Sequence, residues 1–336
     1  MSWVSGAGGA RRPPRWSALL LLGGLLLLIL AVSTGSVPVP LRTTISALWD
    51  GLLGRQLTPL QTIAWQLRLP RVLMGLLVGG GLGLSGAAFQ GLFRNPLADP
   101  YLMGVASGSA LGATAAVVLG ISFLLIPLWA FLGGLLAVLT AILLVQRSGQ
   151  LPTSSLVLAG VVVGSVLTSM STYLLISQHG QTRTILSVTM GNLAYSDWAQ
   201  LRSLLPYALP GGLVLLAMAR PLNQLQLGEV TAHSLGVPVE RLKWVLVLAA
   251  TLVTAAAVSY AGIIGFVGLV TPHLLRRLIG ADHRLLLPWS ALGGGLLLVA
   301  ADLVSRTVVR PSELPVGIVT TLLGGPFFLY LLRRSR

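Results

Sequence analysis

Apolar residues run through this chain in long blocks separated by short polar loops. The blocks occupy 16–32, 72–93, 102–119, 123–145, 156–176, 204–218, 285–304 and 316–332. Each approaches the roughly 20 residues a helix needs to cross a hydrocarbon core. A transmembrane barrel would alternate apolar and polar positions, and stretches such as 19–30 show no alternation. The segment 244–275 is harder to assign, because it holds 32 residues without Asp, Glu, Lys or Arg. As a single helix it would be ~48 Å long against a ~30 Å core, whereas Gly262, Gly265 and Gly268 offer places to turn.

Basic residues in short loops choose between these readings, since Lys and Arg accumulate on the cytoplasmic side. Two spans in 244–275 place 14 of the 22 Lys and Arg inside, and one span places only 10 there. The pattern therefore predicts an all-α polytopic membrane protein of about ten transmembrane helices with both termini cytoplasmic. Residues 1–336 read as one integral membrane domain, with a cytoplasmic tail at 1–15, a cytoplasmic loop at 220–243 and no soluble appendage. Ala31-Val32-Ser33 has some likeness to a signal-peptidase site, but removing the first span would invert everything downstream, so it is expected to stay.

Composition agrees with this picture. The chain is 54% hydrophobic and 9% charged, against about 25% charged in soluble domains. Its net charge of +14 comes from arginines spread singly through the loops, which sets orientation and argues against a nucleic-acid partner. Without cysteine there is no disulfide, thiolate nucleophile or thiolate metal site. Small residues recur every fourth position at Gly75/Gly79/Gly83, Gly104/Gly108/Gly112 and Gly160/Gly164, the spacing that lets membrane helices touch.

Two motifs resemble catalytic or cofactor signatures. Residues 81–86 match G-x-G-x-x-G, but they sit inside an apolar block with no strand before them, so the dinucleotide reading lacks its context. Gly83-Leu84-Ser85-Gly86 resembles the serine motif of rhomboid intramembrane proteases. That alternative needs a histidine as base, and of His179, His233, His273 and His283 only His273 lies beside an apolar block. Helix packing accounts for Ser85 without any chemistry. No P-loop is present, and the only lysine, Lys243, lies in no such motif, so ATP-driven transport requires a separate ATPase.

Several segments together resemble the iron-siderophore, haem and cobalamin permease family of ABC importers over almost the whole chain. They are Arg68-Leu69-Pro70-Arg71, GAAFQGLFRNPLADPYLMGVASGSALGA at 86–113, GIIGFVGLVTPH at 262–273, GADHRLLLP at 280–288, ADLVSR at 301–306 and ELPVGIVTTLLGGPFFLYLL at 313–332. Thr271 and the stretch 189–193 depart from the family's usual residues, and the second bears on substrate choice. The resemblance implies a permease of the bacterial inner membrane that forms a homodimer, with two ATP-binding cassette subunits on the cytoplasmic side and a periplasmic substrate-binding protein outside. It also implies import of a ferric siderophore, haem or cobalamin, with ATP and Mg bound by the ATPase and no cofactor, metal or catalytic residue on this chain.

Candidate site residues fall in three groups. Gly228, Glu229, Ala232, His233, Ser234, Leu235, Gly236 and Val237 read as a short helix ended by glycine, with Pro238 beyond it. The resemblance makes this segment the coupling element that seats in the ATPase, and Leu235 and Val237 are expected to be its exposed apolar residues. Asn95, Pro96, Asp99 and Pro100 specify a rigid turn, with Asp99 able to cap the next helix. By resemblance, Arg68, Arg71 and Arg306 form a basic outer pocket that docks the binding protein. Residue spacing alone allows another reading, in which Arg68 and Arg71 anchor a helix end and Arg306 pairs with Asp302, four residues away on one helix face.

Overall fold

A computed structural model describes residues 16–35, 37–146, 150–177, 182–309 and 312–334; the proposed tail at 1–15 lies outside them. The chain begins with α1 (Trp16–Ser33), α2 (Leu41–Leu52) and α3 (Pro59–Thr62). A π-helical turn (Ile63–Arg68) then leads into α4 (Leu69–Leu92). There follow α5 (Val105–Val118), α6 (Ile126–Val145), α7 (Thr153–Ser177), α8 (Thr182–Thr189), α9 (Trp198–Ala217) and α10 (Ala219–Leu225). The last five are α11 (Glu229–Ser234), α12 (Val239–Ala261), α13 (Val267–Ile279), α14 (His283–Ser305) and α15 (Val316–Arg334).

Every apolar block of the sequence falls on a helix. Among the described residues five helices are long and apolar enough to cross a membrane; α9 and α10 make a sixth if their 51° bend is one broken span. Shorter apolar helices coincide with α1, α5 and α15. The block 244–275 divides into α12 and α13 around residues 262–266, where Gly262 and Phe266 both take positive φ (70° and 68°). At 13 residues, or about 20 Å, α13 is a partial span, with Arg276 and Arg277 in its last turn. Gly268 is not part of the turn; it is a packing residue inside α13.

The centre of the molecule is α4, which packs along α14 and also touches α9, α12 and α13. Glycines make that closeness possible. A Cβ on Gly79 would run into the Gly294 carbonyl, one on Gly83 into the Ser290 carbonyl, and one on Gly86 into the Gly268 carbonyl. Gly108 and Gly112 of α5 face Gly133 and Trp129 of α6 in the same way, and Gly160 of α7 lies against Leu102 and Met103. Lipid tails are as apolar as leucine, so such backbone-to-backbone contact supplies the dispersion energy that holds membrane helices together. The G-x-G-x-x-G residues 81–86 lie inside α4 and serve this packing.

Candidate functional site

The three arginines of the proposed docking group come together, joined by two carboxylates that sequence spacing only partly indicated. Arg71 grips Asp302 through Nε and Nη2 (3.0 and 2.8 Å to Oδ1) and reaches Glu313 through Nη1 at 2.9 Å. Arg306 lies 3.5 Å from the second Asp302 oxygen and donates from Nη2 to the Ala31 carbonyl at 2.6 Å. Arg68 donates to the carbonyls of Val32 (3.1 Å), Ser33 (2.6 Å) and Val37. Arg68 and Arg306 are 6% and 4% exposed, so both turn inward, each on a carbonyl group at the end of α1. A helix C-terminus leaves carbonyls without intrahelical partners, and guanidinium groups satisfy them well. Three cations against two carboxylates leave the cluster one positive charge in excess.

At the opposite ends of the same helices a second network forms around the proposed coupling segment. Gly228 (φ 107°) opens α11 and Gly236 (φ 83°) follows its end, both in conformations that glycine adopts without a Cβ penalty. Ala232 is fully buried, and His233 and Ser234 are exposed. The expectation for Val237 is corrected, since it is 6% exposed and belongs to the core. The exposed apolar residues here are Leu235 (53%) and Val230 (83%), and the sequence reading overlooked Val230. Lys243 of α12 is buried and binds Glu229 at 2.8 Å and Glu240 at 3.0 Å. Glu240 in turn accepts the Leu151 N–H at 2.9 Å, just ahead of α7. Further bonds tie α10 to its neighbours: Gln226 donates to the Gly91 carbonyl at the end of α4, and Asn223 donates to Asp282 before α14. Hydrogen bonds from Arg284 above all, and also from Asn223, hold the Asp282 carboxyl down at about 2.

The turn between α4 and α5 is built as its residues suggest. Asn95 accepts the Leu97 N–H at 2.9 Å, and Asp99 accepts the Tyr101 N–H at 2.8 Å, capping a 3₁₀ turn at Pro100–Met103. Burial pushes the Asp99 carboxyl up to about 6, against the pull of that hydrogen bond. The Tyr101 hydroxyl donates to the Ile264 carbonyl at 3.1 Å, fastening the turn to the break between α12 and α13.

No nucleophile is set up at Ser85. Its hydroxyl is fully buried and donates to the Ala250 carbonyl at 3.4 Å, which leaves it no role for His273 as base. Ser85→Ala is expected to leave transport and folded yield nearly unchanged, since it removes one long hydrogen bond worth about 1 kcal/mol or less. Loss of an intrinsic peptidase activity on that substitution would contradict this.

A polar surface also appears along α7. Ser165, Thr168, Ser169 and Thr172 are exposed on this apolar helix, with Ser165, Ser169 and Thr172 donating back to carbonyls one turn earlier. At Thr172, α7, α8 and α15 border an open, mainly apolar cavity of about 490 Å³, where Leu175, Ile185, Leu186 and Leu322 lie beside Ser171 and Thr189. Among the described residues, no group of three or more His, Asp or Glu could hold a metal ion.

Comparison with known proteins gives a consistent result. The model of the FecCD transport family matches residues 21–334. The hemin transport system permease HmuU of Yersinia pestis is 42% identical over 94% of this chain and 96% of its own length. The vitamin B12 import system permease BtuC of Shigella boydii is 41% identical over 97% of each, and the cobalamin import permease BtuC of Halobacterium salinarum is 47% identical over 81% of this chain and 74% of its own. A solved inward-facing conformation of a metal-chelate type ABC transporter superposes with a TM-score of 0.85 at 32% identity, covering 96% of this chain and all of that one.

Proposed function

The chain belongs to the FecCD transport family, so it is a membrane permease subunit of an ABC importer with ATP hydrolysis on a separate chain, and from that premise we propose how it works. Two copies face each other in the bacterial inner membrane and enclose a lumen along the hydroxyl face of α7. Two ATPase subunits, carrying ATP and Mg, engage α11 on the cytoplasmic side, and a periplasmic binding protein delivers an iron chelate, haem or cobalamin to the outer side. The observation that carries this reading is the open row of Ser165, Thr168, Ser169 and Thr172 on a helix that spans the membrane. Hydroxyls gain nothing from lipid, and they suit a wet pathway that passes a whole chelate without coordinating its metal. Pull-down of the solubilised chain tests the reading: recovery of an ATPase subunit, a binding protein and a second permease copy supports it. ATP-independent uptake by the chain alone would overturn it, and the ligand held by the recovered binding protein names the cargo.

Docking is assigned to Arg68, Arg71 and Arg306, with a division of labour that their burial suggests. Arg68 and Arg306 hold the end of α1, and Arg71 is the arginine that meets the incoming acidic side chain. Its bond to the half-exposed Glu313 is then exchanged for one to the binding protein. Glu313→Gln should therefore tighten docking by severalfold, and raised salt should weaken docking of the wild type. Co-sedimentation with the cargo-loaded binding protein reads both, and affinity indifferent to Glu313→Gln and to salt would remove Arg71 from the interface. Arg306→Glu reports less cleanly, because a second carboxylate beside Asp302 with Ala31 released would disrupt the outer end itself.

A further inference from the structure

Helix α2 was not among the apolar blocks, and at 12 residues, or about 18 Å, it cannot span a bilayer. Its surface nonetheless divides into three sectors. Thr44 and Ala47 are buried against the protein. Thr43, Ser46 and Asp50 occupy a polar sector, where Gln61 donates to Ser46 (3.0 Å) and to Asp50 (2.8 Å). The third sector is apolar and bare: Leu41, Ile45, Trp49 and Leu52 are 54–73% exposed and lie within about 80° of arc at 100° per residue. Arg42, also exposed, sits at its border with the polar sector.

We propose that α2 lies in the plane of the outer leaflet, with the Leu41–Ile45–Trp49–Leu52 stripe sunk into the boundary between lipid headgroups and acyl chains. The helix that precedes it, α1, also carries bare apolar residues, with Leu22, Leu26 and Leu30 exposed. Trp49 and Arg42 suit that depth, an indole and a guanidinium both favouring the headgroup level over an apolar body. The helix is not a loose appendage. Ser33 donates to Thr44 at 3.2 Å, and Arg68 clasps Val32, Ser33 and Val37, so the joint between α1 and α2 is fixed to the start of α4. The leaflet thereby gains a fixed handle on the outer charge cluster.

The absence of cysteine allows a direct test in the full chain assembled with its partners in liposomes. Spin labels at Ile45→Cys, Leu52→Cys and, on the polar sector, Thr43→Cys are exposed to oxygen, which concentrates in lipid, and to a water-soluble nickel chelate. The expected result is relaxation by oxygen severalfold above that by nickel at positions 45 and 52, with the reverse order at 43. Nickel dominating at 45 and 52 would place the stripe in water, and exclusion of both reagents would show a protein covering it, whether a second copy or the binding protein; either result overturns the proposal.

Discussion

Replacing Gly86 by valine should abolish recovery of folded, monodisperse protein after detergent extraction, although Ser85→Ala beside it should be silent. The difference lies in what a new side chain would meet. Even the first carbon added to Gly86 would run into the Gly268 carbonyl of α13, a backbone atom that cannot rotate away. Overpacking a core commonly costs roughly 1–3 kcal/mol, and a rigid neighbour pushes the figure to the top of that range or past it. Here the displaced element would be α13, whose neighbour Tyr101 also locks the break before it. Gly83→Leu should behave alike, against the Ser290 carbonyl. Gly212→Ala is the matching control, since its Cβ would find only a Leu84 methyl at 3.6 Å. Size-exclusion profiles of the three variants settle the matter: a folded Gly86→Val protein at wild-type yield would mean that α4 and α13 are not in backbone contact.

The second large effect is expected at Lys243. Its ammonium joins α11, through Glu229, to α12 and, through Glu240, to the start of α7. Lys243→Met keeps the apolar stem but leaves Glu229 and Glu240 facing each other without a cation. Both glutamates are about two-fifths exposed, which limits the loss of stability to about 1–2 kcal/mol. The expected mechanical consequence is larger, because α11 loses its ionic tie to α12 and, through Glu240, to the start of α7. In the reconstituted complex, ATP hydrolysis should continue while uptake falls by about tenfold, and Lys243→Arg should restore most of it. Leu235→Asp should instead release the ATPase subunit, since that side chain already faces outward. Uptake and hydrolysis falling in parallel in Lys243→Met would show that the clip is structural only.

Most of the helical framework was legible because a bilayer demands long apolar segments and tolerates few alternatives. The turn in 244–275 could be read from glycine, but Phe266, which shares the positive φ there, gave no signal. Helix α2 escaped because its apolar stripe is interleaved with polar residues and too short to span. The sites divide similarly. Arg306 and Asp302, four apart, could be paired by eye, yet Asp302's tighter partner is Arg71, 231 residues away, and no local pattern carries that information. Arg68 was opaque for another reason, since the groups it binds are backbone carbonyls, which look alike at every position. Val237 reads as exposed in a polar loop, and only the packing around α11 turns it inward.

The carbonyl of Ala31 at the outer end of α1 is closed by Arg306, which the ribosome reaches 275 residues later. At roughly 5–20 residues per second, that carbonyl waits about 14–55 s for its guanidinium, and meanwhile Arg68 alone holds the end of α1. The N-terminal segment is thus among the first to be inserted and is held in two stages, early by Arg68 and late by Arg306. A chain truncated before α14 should carry an α1 that inserts normally and is held at its outer end by Arg68 alone, so that Arg68→Ala should expose that end to proteases more in the truncated chain than in the full one.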